Sequence, residues 1–364
     1  MDKIRVNLKK TEDNSYDIVI KQGVLADVAK DLKDEGLAHR FALITDKTVQ
    51  TLYGGKLHQQ LDSEGLIVDM IAFPAGERYK TRETKAWIED RMLENQIGRD
   101  SAVIALGGGV VGDMAGYVAA TFTRGLPYVQ IPTTLVACVD SSIGGKTAVD
   151  TAYGKNLIGS FHQPCRVYVD IDTLRTLGAK EIREGLAEVI KYGVISDKSL
   201  FTYLEDNLEK IFSYDSEALT HIVKRSCEIK ADVVERDEKE SNLRKILNFG
   251  HTLGHAVENL SDYTISHGQA ISIGMAWEGA LACAMGIWKE EELKRLTTLL
   301  SKAGLSTQMP EGTNINDIID TMKLDKKSRA GHIEMVLPES IGAMSVSEGG
   351  YGHKIDETLI KEVI

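Results

Sequence analysis

At 364 residues the chain has the length of about two domains, and its 43 % hydrophobic and 27 % charged content is that of a folded globular protein. The formal net charge of −11 excludes diffuse attraction to nucleic acid or an anionic membrane, so phosphate binding has to come from local basic clusters. Cys138, Cys165, Cys227 and Cys283 lie far apart without paired spacing, and residues 1–10 alternate apolar with charged side chains, which together predict a reduced, cytoplasmic protein without a signal peptide.

Up to about residue 171, short runs rich in β-branched residues at 41–45, 66–73, 102–106, 128–131 and 167–171 alternate with longer amphipathic stretches. This predicts a parallel α/β sheet, with ligands bound beyond the carboxyl ends of its strands, where Asp46, the turn at Gly107 and the pair Thr133-Thr134 fall. Two loops combine glycine with lysine in a way suited to anions: Gly76-Glu77-Arg78-Tyr79-Lys80, and Gly144-Gly145-Lys146-Thr147 with Gly154-Lys155-Asn156. The second is not a P-loop, because the required first glycine is Asp140.

Gly107-Gly108-Gly109-Val110-Val111-Gly112-Asp113 follows a predicted strand and fits G-x-G-x-x-G, whose glycines let backbone amides approach a phosphate at a helix start. It lies in mid-domain, and Asp113 follows at once instead of an acid about twenty residues on. It is therefore either a phosphate contact outside the standard dinucleotide arrangement or a tight structural turn.

After Asp172 longer helical periods at 184–194, 216–234, 244–260 and 290–303 predict a helical second domain, so the chain divides into 1–171 and 172–364. The stretch 270–288 is nearly as apolar as a bilayer span, but Glu278 interrupts it and Gly274, Ala276, Gly279 and Ala280 suit close helix packing, which predicts a buried helix. His251 and His255 stand four apart, on one helix face, as a metal pair or as ordinary polar groups; spacing alone does not choose. His267 downstream and Glu188 upstream extend the first option. Lys191 lies on the same face as Glu188, where an intrahelical ion pair is the plainer role. Lys230, Arg244 and Lys245 form a basic set ahead of the histidines, either solvated or binding a carboxylate or phosphate.

Taken in order, the Gly107 turn, Pro132-Thr133-Thr134-Leu135, the stretch from Asp140 to Thr147, Gly154-Lys155-Asn156, Glu188-Val189-Ile190-Lys191-Tyr192-Gly193, Leu247-Asn248-Phe249-Gly250-His251 and Asp325-Lys326-Lys327 resemble the 3-dehydroquinate synthase family of sugar phosphate cyclases. The resemblance implies an N-terminal parallel-sheet nucleotide-binding domain and a C-terminal all-helical metal-binding domain. It implies a lyase of the shikimate route to aromatic amino acids that uses NAD and one divalent metal, zinc or cobalt. Transient oxidation, β-elimination of phosphate, re-reduction and intramolecular aldol closure would turn a sugar phosphate into a carbocycle. Glu188, His251 and His267 match the family's metal ligands, which leaves His255 near the substrate and makes the His251/His255 pair a false lead.

Asp46, Glu77, Lys80, Gly108, Gly109, Val110, Asp113, Thr133, Thr134, Ser141, Lys155, Thr173, Thr176 and Leu177 match the NAD side, with Asp140 and Lys146 shared by NAD and substrate. Asn156, Lys191, Lys230, Arg244, Asn248 and Lys327 match substrate residues, and Arg124 an arginine offered across a homodimer interface. No nucleic-acid or membrane partner is implied. Two departures from relatives stand out: Ser241-Asn242 where glycine is frequent, with asparagine expected to tolerate left-handed angles, and Leu177-Gly178-Ala179 in place of a frequent Leu-Pro. Sister cyclases acting on glucose 6-phosphate or sedoheptulose 7-phosphate would keep most of these motifs. A polyol dehydrogenase on the same scaffold would instead release NADH.

Overall fold

The computed structural model describes residue 5 and residues 13–261, 264–324 and 333–363. In the first part, β1 (Asp17–Lys21) and α1 (Val28–Glu35) precede β2 (Arg40–Asp46) and α2 (Lys47–Val49), which runs through a π turn (Gln50–Gly54) into α3 (Gly55–Ser63). Then come β3 (Ile67–Phe73), α4 (Arg82–Glu94), β4 (Ser101–Gly107), α5 (Gly109–Thr121), β5 (Tyr128–Pro132), β6 (Lys146–Thr151), β7 (Gly154–Phe161) and β8 (Arg166–Asp170). Six strands form one parallel sheet in the order β1-β8-β5-β4-β2-β3, while β6 and β7 pair antiparallel as a separate hairpin.

Every residue of the central strand β4 is buried, as a strand covered by helices on both faces requires. Alternate side chains feed opposite cores: Ala42, Ile44, Val103 and Ala105 pack with residues of α4 and α5, and Phe41, Leu43, Ile104 and Leu106 with residues of α1 and α3. Each fully buried Val, Leu, Ile or Phe among them stabilises by roughly 1.5–3 kcal/mol. All five strands read from the sequence are present.

The second part comprises α6 (Ala179–Ile195), α7 (Lys198–Phe212), α8 (Ser216–Arg236), a 3-10 turn (Leu243–Asn248), α9 (His251–Leu260), α10 (His267–Ala284), α11 (Glu290–Lys302) and α12 (Ile315–Leu324). It closes with β9 (Ile333–Val336), β10 (Pro338–Ser340), β11 (Ala343–Met344), β12 (Gly352–Ile355) and α13 (Glu357–Val363). Two corrections follow. The part is not all-helical, since β9 pairs with β12 and β10 with β11; Ile333, Met335, His353 and Ile355 alternate inward at period two. The helical period at 244–260 is broken, because the 3-10 turn ends at Asn248 and Gly250, at φ 78°, caps the start of α9.

Val167 and Val169 of β8 and Leu135, Cys138 and Val139 after β5 share one core with α6, α8, α9 and α10, so the sheet and the helices bury one another. Among the described residues no helix is long and apolar enough to cross a membrane.

Candidate active site

The helices α9 and α10 cross at glycine. A Cβ on Gly250 would stand 2.5 Å from Met275 Cγ and 2.8 Å from the Ile271 carbonyl oxygen, and one on Gly274 would stand 1.9 Å from the Gly250 oxygen. Glu278, the charge that interrupts the apolar helix, is fully buried and accepts from Gly250 N at 2.7 Å and Leu253 N at 3.1 Å. A carboxylate on these amides fixes where α9 begins, and hence where His251 stands. In the same way Glu184 of α6 accepts from Gly268 N and Ser266 Oγ, setting the start of α10 and His267.

Glu188, at the buried middle of α6, faces both histidines: its Oε1 lies 3.4 Å from His251 Nε2 and 3.2 Å from His267 Nε2. One donor atom from each of the three lies within 4.8 Å of the others. His251 Nδ1 is 3.1 Å from the Phe249 carbonyl, which only accepts, so Nδ1 carries the proton and the Nε2 lone pair points at Glu188. Burial, joined by Lys191, lowers His251 to about 4, leaving a neutral imidazole at neutral pH. Burial resists charge on His267, but Glu188 and Glu258 on either side outweigh it and raise that group to about 10, so the position favours a cation. For Glu188 burial is outweighed by Lys191 and His251, which hold its carboxyl well below the usual range. Two imidazoles and an ionised carboxylate, with His251 oriented by the Phe249 carbonyl and Glu188 by Lys191, fit a divalent metal such as zinc. His255, Glu258 and His267 form a second group of ligand type that shares His267.

At the carboxyl end of the sheet, Gly108 caps α5, and a Cβ there would stand 2.9 Å from Thr134 Cγ2. Thr133 N donates to the Gly107 carbonyl at 2.9 Å, so the turn and the Thr133-Thr134 loop close on each other beside the N-terminal amides of α5, Gly109 and Val110 among them. Ser141 Oγ would lie 3.2 Å from a Cβ at Gly109. Asp46 caps α2 through Thr48 N at 2.8 Å and Val49 N at 3.0 Å. A 3-10 turn (Ile171–Thr176) carries Thr173 and Thr176, both held by Tyr53 Oη, and leads to Leu177.

The buried Lys80 Nζ donates to Asp113 Oδ2 and Asn156 Oδ1, each at 2.6 Å. Burial opposes its charge, and Asp113 and Glu77 more than offset this. Lys155 of β7 reaches Glu77 at 3.3 Å and Glu258 at 2.7 Å.

Beside α6 lies a second cluster. Lys230 Nζ donates to Asp140 Oδ1 and to its carbonyl, both at 2.7 Å, and Tyr192 Oη donates to the same carboxylate at 2.5 Å. Burial opposes ionisation of Asp140, and Lys230 overcomes it, so the carboxyl stays below its ordinary range. Arg244 is 1 % exposed; its Nη2 donates to the Gly144 carbonyl at 3.0 Å and its Nη1 to the Glu238 carbonyl. Glu240 takes an ion pair from Lys146 and accepts from Asn248 Nδ2 at 2.6 Å. Lys191 pairs with Glu188, the plainer role read for it, and its Nζ stands 5.0 Å from the centre of the Tyr192 ring, which places this cluster next to the histidines.

Arg124 is not brought to these clusters: it is exposed at φ 76° in the turn beyond the far end of α5. Lys327 lies outside the described residues. Asn242 has φ −155°, and the left-handed residue of its loop is Glu240 at 59°, so the expected use of asparagine is not the one found. Glu258, Glu240, Glu184 and Tyr192 were not read from the sequence as site residues. Glu258 had a visible signal, standing three residues after His255 and seven after His251 on the same helix face, and so had Glu184 and Tyr192, four residues before and after Glu188; Glu240 had none.

Known proteins of one family match the chain over most of its length. Residues 70–184 match a family model described as 3-dehydroquinate synthase N-terminal, and residues 185–328 one described as 3-dehydroquinate synthase C-terminal. A 3-dehydroquinate synthase of Synechococcus sp. is 47 % identical over 351 residues, 95 % of each chain. The structure of 2-epi-5-epi-valiolone synthase from Streptomyces hygroscopicus subsp. jinggangensis, with NAD+ and Zn2+ bound, superposes with a TM-score of 0.89 at 29 % identity, covering 99 % of this chain and 98 % of that one. A 2-deoxy-scyllo-inosose synthase complexed with carbaglucose-6-phosphate, NAD+ and Co2+ gives 0.86 at 27 % identity over 95 % of each chain. On the two family matches and the full-length identity, the chain belongs to the 3-dehydroquinate synthase family.

Proposed function

We propose that this chain converts 3-deoxy-D-arabino-heptulosonate 7-phosphate into 3-dehydroquinate and phosphate, as a carbon–oxygen lyase dependent on NAD and a divalent metal. The observation that carries the reading is that two runs of charged and polar side chains converge on the histidines. Lys155–Glu258–His267 runs from the nucleotide loop to the histidines, and Glu188–Lys191 with Tyr192–Asp140–Lys230 runs from there to the buried cations. When bound, NAD supplies a hydride acceptor that is restored within one turnover, and the divalent metal supplies Lewis acidity at hydroxyl oxygens.

The protein's own groups do the rest. Glu188, His251 and His267 hold the metal, and Asp46, Glu77, Lys80, Asp113 and the Gly108 turn hold the nucleotide. Lys146, Asn156, Arg244 and Asn248 take the phosphate, whose remote binding energy aligns the substrate for successive steps. Lys230 with Arg244 takes the carboxylate, and His255, its ring 5.3 Å from that of His251, exchanges protons with substrate oxygens. Residues 1–171 form the nucleotide domain and 172–364 the metal domain of a cytoplasmic homodimer, in which Arg124 serves the partner's cleft.

The second reading, a sister cyclase, is favoured by the two structural neighbours and disfavoured by 47 % identity to a 3-dehydroquinate synthase. The test is phosphate release from 3-deoxy-D-arabino-heptulosonate 7-phosphate, glucose 6-phosphate and sedoheptulose 7-phosphate, with NAD and zinc or cobalt, while net NADH is followed by absorbance. Metal-dependent release from the first substrate alone, without NADH build-up, is expected. Release from another sugar moves the chain to a sister activity, and NADH without phosphate makes it a dehydrogenase.

A further inference from the structure

Glu258 stands one turn after His255 in α9 and is 4 % exposed. Its two carboxylate oxygens meet different partners. Oε1 accepts from Lys155 Nζ of the β7 hairpin at 2.7 Å, whereas Oε2 lies 3.6 Å from His267 Nδ1 at the start of α10, just beyond hydrogen-bond reach. Glu77, 3.3 Å from Lys155 on the far side, is a second carboxylate on the same ammonium group.

A carboxylate on the distal nitrogen of a metal-bound histidine orients the ring and raises its basicity, and losing one typically costs about 10–100-fold in metal affinity. Here that carboxylate is held more closely by a lysine of the nucleotide loop. How completely it serves the histidine therefore depends on what Lys155 is doing.

We infer that Glu258 is a positioning residue that couples nucleotide binding to metal binding. An anionic nucleotide that draws Lys155 toward itself releases Oε1, and the carboxylate closes on His267 Nδ1, tightening the metal. Linkage makes the effect reciprocal: the metal tightens the nucleotide by the same factor. The inference rests on the proposed roles of Lys155 and His267.

The test is the Zn2+ affinity of the full chain, by competition with a chromophoric chelator, without NAD and with saturating NAD, for the wild type, E258Q and K155Q. NAD occupancy is measured separately by equilibrium dialysis. In the wild type NAD is expected to tighten zinc by about 5-fold or more, the lower end of common coupling. K155Q should bind zinc without NAD as tightly as the wild type does with it, and gain nothing from NAD. E258Q should bind zinc about 10–100-fold more weakly, with NAD making no difference. Equal wild-type affinities with and without NAD, or an NAD effect that persists in either variant, overturns the inference. If wild-type chain binds no zinc or no NAD, it is the proposed function that fails instead. Should E258Q not fold, K155Q, on a surface hairpin, still decides the question.

Discussion

The group of metal-ligand type and the lysine loops are linked through Glu258 but are built by opposite means. Glu188 projects from the buried middle of α6, and His251 and His267 from α9 and α10, whose starts are set by Glu278 and Glu184; two of the three are buried. Lys146 and Lys155 stand on a hairpin whose tip residue Tyr153 is 93 % exposed, and each is neutralised by a carboxylate, Glu240 for one and Glu77 with Glu258 for the other. A resident ion is served by donors that packing holds in place, so little ordering remains when it binds. On the proposed function, a substrate or nucleotide that enters and leaves would meet cations already paired, so binding would exchange one anion for another and leave no lone charge.

That contrast can be broken from the metal side first. His267→Ala removes one of three donors from a rigid set and should abolish stoichiometric metal; full metal content by elemental analysis would show the ligand assignment to be wrong. Glu278→Ala leaves the amides of Gly250 and Leu253 buried without their carboxylate and opens a void between α9 and α10. The expected loss is about 3 kcal/mol in denaturant unfolding, and a loss below about 1 kcal/mol would mean that packing alone sets the helix start. On the anion side Lys146→Ala should lower turnover about 10–100-fold, the range for hydrogen bonds to charged groups, with stability changed by no more than about 0.5 kcal/mol because the side chain is half exposed. Unchanged turnover in the folded variant would remove Lys146 from the phosphate site.

The same contrast decides what was legible in the sequence. The central strands could be read because residues 41–45 and 102–106 are continuous apolar runs that both faces bury. β1 was missed because only Ile18-Val19-Ile20 is apolar and it is an edge strand, and the hairpin of β6 and β7 because glycine and lysine mark turns more strongly than they mark pairing. Glu188, His251 and His267 were grouped through family motifs, and the structure brings them together, although 63 residues separate the first two. Periodicity could not do this, because it reports the face of one helix and not which helices meet. The basic run ahead of the histidines divides in the fold: Arg244 is buried against carbonyls, while Lys245 pairs with Glu334 at 2.6 Å. Glu240 gave no signal, since its role comes only from the backbone turn that aims it at Lys146.

That turn gives the smallest effect and the one with a pH signature. Asp237 follows α8 and accepts from Ser241 N and Oγ, both at 2.8 Å, from Asn242 N at 2.7 Å and from Arg244 N at 3.0 Å, so one carboxylate organises the loop that carries both Glu240 and Arg244. Burial works against its ionisation, but the amides of Asn242, Arg244 and Ser241 outweigh burial and hold it well below the ordinary carboxylate range. A depressed folded-state pKa contributes stability that is complete above the unfolded value, about 3.9, and is lost as pH falls through the folded one. Asp237→Asn keeps the shape and part of the accepting capacity, so at pH 7 it should cost about 1–2 kcal/mol. The difference between wild type and variant should stay constant from neutral pH down to about 4 and shrink only below that. A difference that vanishes already at pH 5–6 would mean that the loop is held by some other group, and that the phosphate cations owe their placement to the hairpin rather than to this turn.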